Sequence, residues 1–262
     1  MESRIRQHMS FGASVGAILL LGSSLTHAIF NGTLDGNRHP NVGMVVAEGS
    51  GGRFTPCSGS LIAPTVFMTA AHCLDFIASR GGTRVWVTFD PQANPDSPTL
   101  IPGTMHPNPA FELNAPDPND VAVITLATPV DDRGLVGLPT PGLLDTVGPG
   151  QLFTVVGYGA NERIIGEGPP TFLRDRVRRF ATSELNAVRP AELRLSMNPS
   201  QGYGGASFGD SGGPIFLGES RTAAAIVGWR GSYGGTYEGH RLDIPSSRAY
   251  LSGFVTLPDQ VQ

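Results

Sequence analysis

Lysine is missing from the chain: all eighteen basic residues among its 262 are arginine. That excludes lysine Schiff bases, Ser–Lys dyads and the lysine of a P-loop. A base acting near neutral pH must be one of the six histidines or a perturbed carboxylate. Cysteine is nearly as scarce. Two of them, Cys57 and Cys73, cannot build a zinc cage of four thiolates. An even count in an exported chain suggests a disulfide, with two free buried thiols as the plainer alternative. Long apolar runs are missing too. Phe11 to Leu25 is apolar or small, but its fifteen residues fall short of the roughly 20 that span a bilayer.

That short run is informative. Arg4 and Arg6 precede it and Thr26-His27-Ala28 closes it, the three-part layout of a signal peptide over residues 1–28. Its length favours this reading over a membrane anchor. Cutting after Ala28 leaves 234 residues, enough for one large core or two modest ones. Losing Glu2, Arg4 and Arg6 moves the formal net charge from −4 to −5. An acidic balance speaks against nucleic acid or an anionic membrane as main partner. The one basic run, Arg174, Arg176, Arg178 and Arg179, reads as a solvated face.

The rest of the chain is patterned for strands. "TRVWVTF" (83–89) alternates Val85, Val87 and Phe89 against Trp86 and Thr88, and "LRLSM" (193–197) alternates in the same way. "VAVITLA", "LFTVVGYG", "GPIFL" and "AAIVGW" are short β-branched or aromatic runs, punctuated by 35 Gly and 22 Pro. Period-2 patterning with frequent turns indicates an all-β sandwich or barrel. Helical patterning is scarce: "TSELNAVR" (182–189) reads as a short helix capped by Thr182 or Ser183, and "SSRAYLSGFV" (246–255) as a terminal one. Thr128 to Gly150, rich in Pro and Gly, reads as a surface connection between two β units.

Three segments carry chemistry. "TAAHC" (69–73) holds His72, "NDVAVITL" (119–126) sets Asp120 before an apolar strand, and "FGDSGGPIF" (208–216) holds Ser211 in a glycine-rich turn. A serine hydroxyl is a weak nucleophile that needs a base, and the base needs an orienting acid. Singly, each residue has a bland explanation: a packed histidine, a turn aspartate, a hairpin. Together they form a constellation. The backbone N–H groups of Gly209 and Ser211 are placed to converge on the oxyanion of a tetrahedral intermediate, and Gly209 can take a backbone shape that a Cβ resists.

On these motifs the chain resembles the chymotrypsin/trypsin family of serine endopeptidases, with support from "CSGSLIAPTVFMTAAHC", "GYG" (157–159) and "IVGW" (226–229). The resemblance covers nearly all of the mature chain. It implies an all-β fold of two packed six-stranded antiparallel β-barrels with a short C-terminal helix, divided at 29–138 and 139–262. It implies a catalytic set of His72, Asp120 and Ser211, in the chain order of chymotrypsin, an oxyanion hole from Gly209 and Ser211, and a Cys57–Cys73 bridge over a spacing of 16. Family chains begin with an apolar residue in patterns such as Ile-Val-Asn-Gly, and "IFNG" (29–32) is similar. The implied activation pair is the Ile29 amine with Asp210, created here by signal removal itself, so that activation coincides with export. The implied partners are protein or peptide substrates of a secreted monomer, with no cofactor or metal. A calcium site in the loop of Asp90 and Asp96 is set aside as solvated carboxylates.

The specificity pocket departs from the trypsin pattern. Six residues before Ser211 stands Gly205, followed by Ala206, so no carboxylate is there to receive Arg or Lys. The facing wall, usually Ser-Trp-Gly in the family, reads Gly228-Trp229-Arg230, and Ser207 stands where some relatives place a bracing cysteine. A medium to large apolar side chain before the cleaved bond is the expected preference, with acidic preference through Arg230 second. Two other functions stay open: a silent scaffold that binds partners, and an esterase using the same three residues.

Overall fold

The computed structural model describes residues 29–160, 162–164, 171–233 and 235–259; the side chains of 162–164, 171–173 and 230–233 are not among what it describes. The signal peptide assigned to 1–28 and the Arg230 side chain therefore lie outside the described residues. In chain order the elements are β1 (Thr33–Leu34), β2 (Val42–Gly49), β3 (Gly52–Phe54), β4 (Ser58–Ala63), β5 (Val66–Thr69), α1 (Ala71–Ser79), β6 (Arg84–Thr88), β7 (Ile101–His106) and β8 (Ala122–Leu126). After a 3-10 turn at Leu143–Thr146 come β9 (Leu152–Gly157), β10 (Glu162–Ile164), β11 (Thr171–Leu173), β12 (Arg179–Val188), β13 (Glu192–Ser196), β14 (Pro214–Leu217), β15 (Ala223–Tyr233), β16 (Thr236–Arg241) and α2 (Pro245–Leu251).

The strands close into two six-stranded antiparallel β-barrels, as the resemblance implied. The first runs β2-β4-β5-β8-β7-β6 and returns to β2, with β3 appended at an edge. The second runs β12-β13-β16-β15-β14-β9 and returns to β12. Closure removes the unpaired edges that an open sheet would expose. The short β1 pairs with β12, so the segment after Ile29 is tied to the second barrel.

Why these residues form these strands is visible in their burial. Leu193 and Leu195 are sealed while Arg194 and Ser196 are half-exposed, the alternation expected of β13. In β6 the alternation is hidden. Trp86 is buried as well, because the guanidinium groups of Arg53 and Arg84 lie 4.9 and 4.8 Å from its ring. Long arginine stems cover an aromatic face that period-2 patterning would leave in water.

Two sequence expectations fail. Residues 182–189 are not a helix: 179–188 form β12, paired on one side with β9 and on the other with β13. The hydroxyls read as helix caps serve the sheet, Ser183 bonding the Gly204 carbonyl and Tyr237. Pairing on both edges overrides local propensity. Nor is the 174–179 run a solvated face throughout. Arg178 is fully buried, donating to Asp35, to the carbonyls of Gly36, Val42 and Phe89, and to the Tyr158 hydroxyl. It pins the two barrels together at their seam.

One helix was not anticipated. α1 has no capping side chain at Ala70, and its buried face is Ala71, His72, Cys73, Leu74 and Ile77. Cys73 bonds Cys57, with Cα atoms 6.2 Å apart. Closing a loop of this size contributes about 3 kcal/mol in the chain-entropy account. Among the described residues no helix is long and apolar enough to cross a membrane.

Candidate active site

α1 begins immediately after β5, and this places His72 in its first turn, where backbone N–H groups have no partner within the helix. Asp120 supplies the partner. Its Oδ1 accepts the His72 backbone N–H at 2.9 Å, and its Oδ2 stands 2.8 Å from His72 Nδ1. The Trp229 backbone N–H, from β15, reaches Oδ2 at 3.1 Å. Burial pushes the Asp120 carboxyl up, but the charge and hydrogen bonds of His72 outweigh it and hold the group below the usual carboxylate range. With Nδ1 so engaged, Nε2 is the ring nitrogen left for a substrate-side partner. The Trp229 ring, half-exposed, lies edge-on to His72 at 5.5 Å.

Ser211 sits on a turn that packs against the same run. A Cβ on Gly212 would stand 2.3 Å from Thr69 Oγ1 and 2.6 Å from the Ala70 nitrogen, so glycine alone allows the turn to lie this close to the start of α1. Ser58 N–H donates to the Ser211 carbonyl. No hydrogen bond joins Ser211 Oγ to His72 Nε2; Nε2 lies 3.8 Å from Cys73 Sγ instead. Such contacts are commonly long in a free enzyme and tighten around a bound substrate.

The direction of the Gly209 and Ser211 N–H groups follows from peptide planarity. The Phe208 carbonyl accepts Ala160 N–H at 2.7 Å, and a trans peptide then turns the Gly209 N–H the opposite way. The Asp210 carbonyl accepts Gly213 N–H, which turns the Ser211 N–H similarly. Neither N–H has an acceptor among the described residues. Gly209 holds φ at +101°, a region closed to most side chains, and Ser58 Oγ fixes its carbonyl at 2.9 Å.

Asp210 is fully buried beneath this turn. Its two oxygens accept the N–H groups of Gly159 and Ser207, each at 2.8 Å. Burial pushes its carboxyl up to about 6, against the pull of those bonds and of Arg174 and Arg179. A Cβ on Gly157 or Gly159 would stand 2.2 or 2.5 Å from these oxygens, which explains the "GYG" motif as close approach. Ile29 is also fully buried, in the core cluster that holds Ala206, and Phe30 bridges Gly205. The start of the described chain thus runs directly past the Asp210 loop.

At the expected pocket floor, a Cβ on Gly205 would meet the Tyr237 ring at 2.6 Å and Met197 Cβ at 2.9 Å. Gly205 thus packs directly on the buried Tyr237 ring, whose hydroxyl is held by Ser183. The Ser207 hydroxyl is buried and has no partner among the described residues. At Gly228 a Cβ would stand 3.7 Å from Asp120 Oδ2, an ordinary contact, so the position is open behind the carboxylate.

Sequence reading missed His240. It is buried on β16, its Nε2 bonded to Ser247, and with Asp120 it lines a small cavity that includes Gly228. Burial lowers its pKa against the nearby Asp120 and Asp117 carboxylates. Nothing local marks a single histidine late in a strand. The loop carboxylates weighed for calcium have separate partners: Asp90 accepts from Thr99, and Asp96 lies 3.4 Å from Arg53. Cys57, His72 and Cys73 also cluster, but their sulfurs are bonded to each other and offer no thiolate.

The family model described as Trypsin matches residues 32–248. The vitellin-degrading protease of Bombyx mori is 28% identical over an alignment of 196 positions that covers 69% of this chain and 70% of that protein. Among solved structures, HL collagenase superposes with a TM-score of 0.60 at 18% identity, covering 84% of this chain and 96% of its own. A variant of human heparin binding protein gives a TM-score of 0.60 at 20% identity, covering 83% and 92%. At those two identities the likeness is one of fold.

Proposed function

Since the chain belongs to the trypsin family of serine proteases, we propose that it is a secreted endopeptidase working through Ser211, His72 and Asp120. Ser211 Oγ attacks the peptide carbonyl while His72 Nε2 takes its proton. Asp120 holds the imidazole and stabilises the imidazolium. The oxyanion that forms accepts from the N–H groups of Gly209 and Ser211. His72 then returns the proton to the leaving amine, and water, activated in the same way, hydrolyses the acyl-enzyme. The observation that carries this reading is the His72–Asp120 pair, with Nδ1 fixed at 2.8 Å beside the turn that bears Ser211.

The activation pair belongs to the same proposal. Asp210 is a buried carboxylate with two amide donors and an upward-shifted pKa, so a cation is its natural complement. The α-amine of Ile29, freed by signal cleavage after Ala28, supplies one. Specificity follows from the floor. With Gly205 against Tyr237 and no carboxylate, the pocket suits a medium to large apolar side chain. The substrates are proteins or peptides.

The test is labelling of the secreted protein by a serine-directed fluorophosphonate. Wild type should label and Ser211→Ala should not. Equal labelling of both removes Ser211 from the reaction, and no labelling of either makes the chain a silent scaffold. Turnover of esters without casein or peptides would make it an esterase. N-terminal sequencing should read Ile-Phe-Asn-Gly; any other start overturns the activation pair.

A further inference from the structure

A cavity of about 330 Å³ lies apart from the candidate active site: neither His72, Asp120 nor Ser211 lines it. The segment before β2 contributes Arg38 and Asn41, the connection between the barrels contributes Arg133, and the turn after β14 contributes Arg221. Phe180 forms an aromatic wall, and the His39 ring stacks at 5.4 Å on Phe216, which is 1% exposed.

The arginines here differ from the buried ones of the second barrel and the seam. Arg178, Arg179 and Arg241 are each bonded to a carboxylate. Arg38 and Arg221 make no ion pair and no side-chain hydrogen bond to the described protein. Arg38 lies over Phe180 at 4.5 Å. Arg221 extends toward the turn after Arg133, its Nη1 being 3.6 Å from where a Cβ on Gly134 would stand. Arg133 has a 3.7 Å contact with the exposed Asp132 and lies 5.4 Å from the Phe89 ring, with no hydrogen bond from its side chain among the described residues. Glu219 is the one acid lining the cavity, which leaves two positive charges in excess. Guanidinium forks match the oxygens of phosphate.

The uncharged walls point the same way. Asn41 and Thr154 are 6% and 7% exposed, yet neither side chain has a hydrogen-bond partner in the described protein. Their polar ends are not sealed, so both open onto a cavity that cations border.

We propose that this cavity is a binding site for a small phosphomonoester: its doubly charged phosphate is held by Arg38, Arg133 and Arg221, Asn41 and Thr154 give hydrogen bonds, and its organic body lies against Phe180 and the His39 ring. Binding would join the segment before β2, the inter-barrel connection and the second barrel, and so stabilise the folded chain as ligand concentration rises.

Phenyl phosphate and inorganic phosphate are the probes, titrated calorimetrically into the folded protein at ionic strength fixed with sodium chloride. Phenyl phosphate should bind saturably with one site, more tightly than inorganic phosphate, and raise the melting temperature. Arg38→Gln and Arg221→Gln should each weaken it about tenfold or more, the scale of a charged hydrogen bond, with peptide hydrolysis unchanged. Both residues are exposed, and circular dichroism checks the fold. No saturable binding, or equal binding by the double variant, overturns the site. Inorganic phosphate binding as tightly as phenyl phosphate overturns the organic body.

Discussion

Asp120 and Asp210 are both sealed from solvent, 1% and 0% exposed. Both take two backbone N–H bonds, Asp120 from His72 and Trp229, Asp210 from Gly159 and Ser207. Their carboxyls nevertheless move in opposite directions, Asp120 down and Asp210 up to about 6. The difference is the imidazole. Two amide donors and the charges of Arg174 and Arg179 do not offset the burial of Asp210, whereas amides with a directly bonded His72 more than offset that of Asp120. A buried carboxylate that keeps its charge needs a cationic or ionisable neighbour in direct contact, and in the proposed mechanism Asp210 gains one only when Ile29 becomes a terminus.

The largest effect should come from Asp120→Asn. The amide can neither fix the Nδ1–H tautomer nor stabilise an imidazolium, and in the template for this chemistry the loss in kcat is about 10⁴-fold. Turnover of an apolar chromogenic peptide checks it, with circular dichroism to show that the fold persists. A loss below about tenfold would mean that the 2.8 Å pair is structural and the base lies elsewhere.

Asp210 should give the next largest effect, on stability. Place one residue before Ile29 in the Ser211→Ala chain, so that no free amine reaches Asp210. Its folded pKa of about 6 then stands above the unfolded value of 3.8. The folded chain keeps a proton that the unfolded chain has released. The stability contributed is full below 3.8 and is lost as pH rises through 6. Two pKa steps amount to about 3 kcal/mol. Urea unfolding between pH 4 and 7 should show that decline in the extended chain and much less of it in the chain that starts at Ile29. Identical slopes would separate Ile29 from Asp210.

How far these features were legible in sequence depended on where their partners lie. The segments of His72, Asp120 and Ser211 stand out because small residues and glycines around them form local signatures. α1 did not stand out, because its cap is Asp120, 48 residues away. Arg178 was misread for the same reason: its partners Asp35 and the Phe89 carbonyl are 143 and 89 residues distant. A run of arginines carries no mark of which one turns inward. Thr182 and Ser183 were misread because β12 is held by strands on both edges, a tertiary cause that short-range capping logic does not contain. The all-β class was legible in alternation and turn residues, while the two closed barrels followed only from the family resemblance.

The smallest effect should come from Gly228→Ser, which probes how full the Asp120 site already is. A carboxylate has about four acceptor positions, and three donors reach this one: the His72 backbone N–H, His72 Nδ1 and the Trp229 backbone N–H. A Cβ at 228 would stand 3.7 Å from Oδ2 and 3.4 Å from the His240 nitrogen, so a serine fits and its hydroxyl can donate to the remaining position. A further donor to the charged form lowers a carboxyl pKa that is already low. Stability from such a group is present above the unfolded value and lost as pH falls through the folded one. The acid-unfolding midpoint should therefore move down by a few tenths of a pH unit, with turnover at pH 8 changed by less than about threefold, as expected for one modest hydrogen bond. A midpoint that stays or rises would mean that three donors already saturate Asp120, and that the gap behind it belongs to His240.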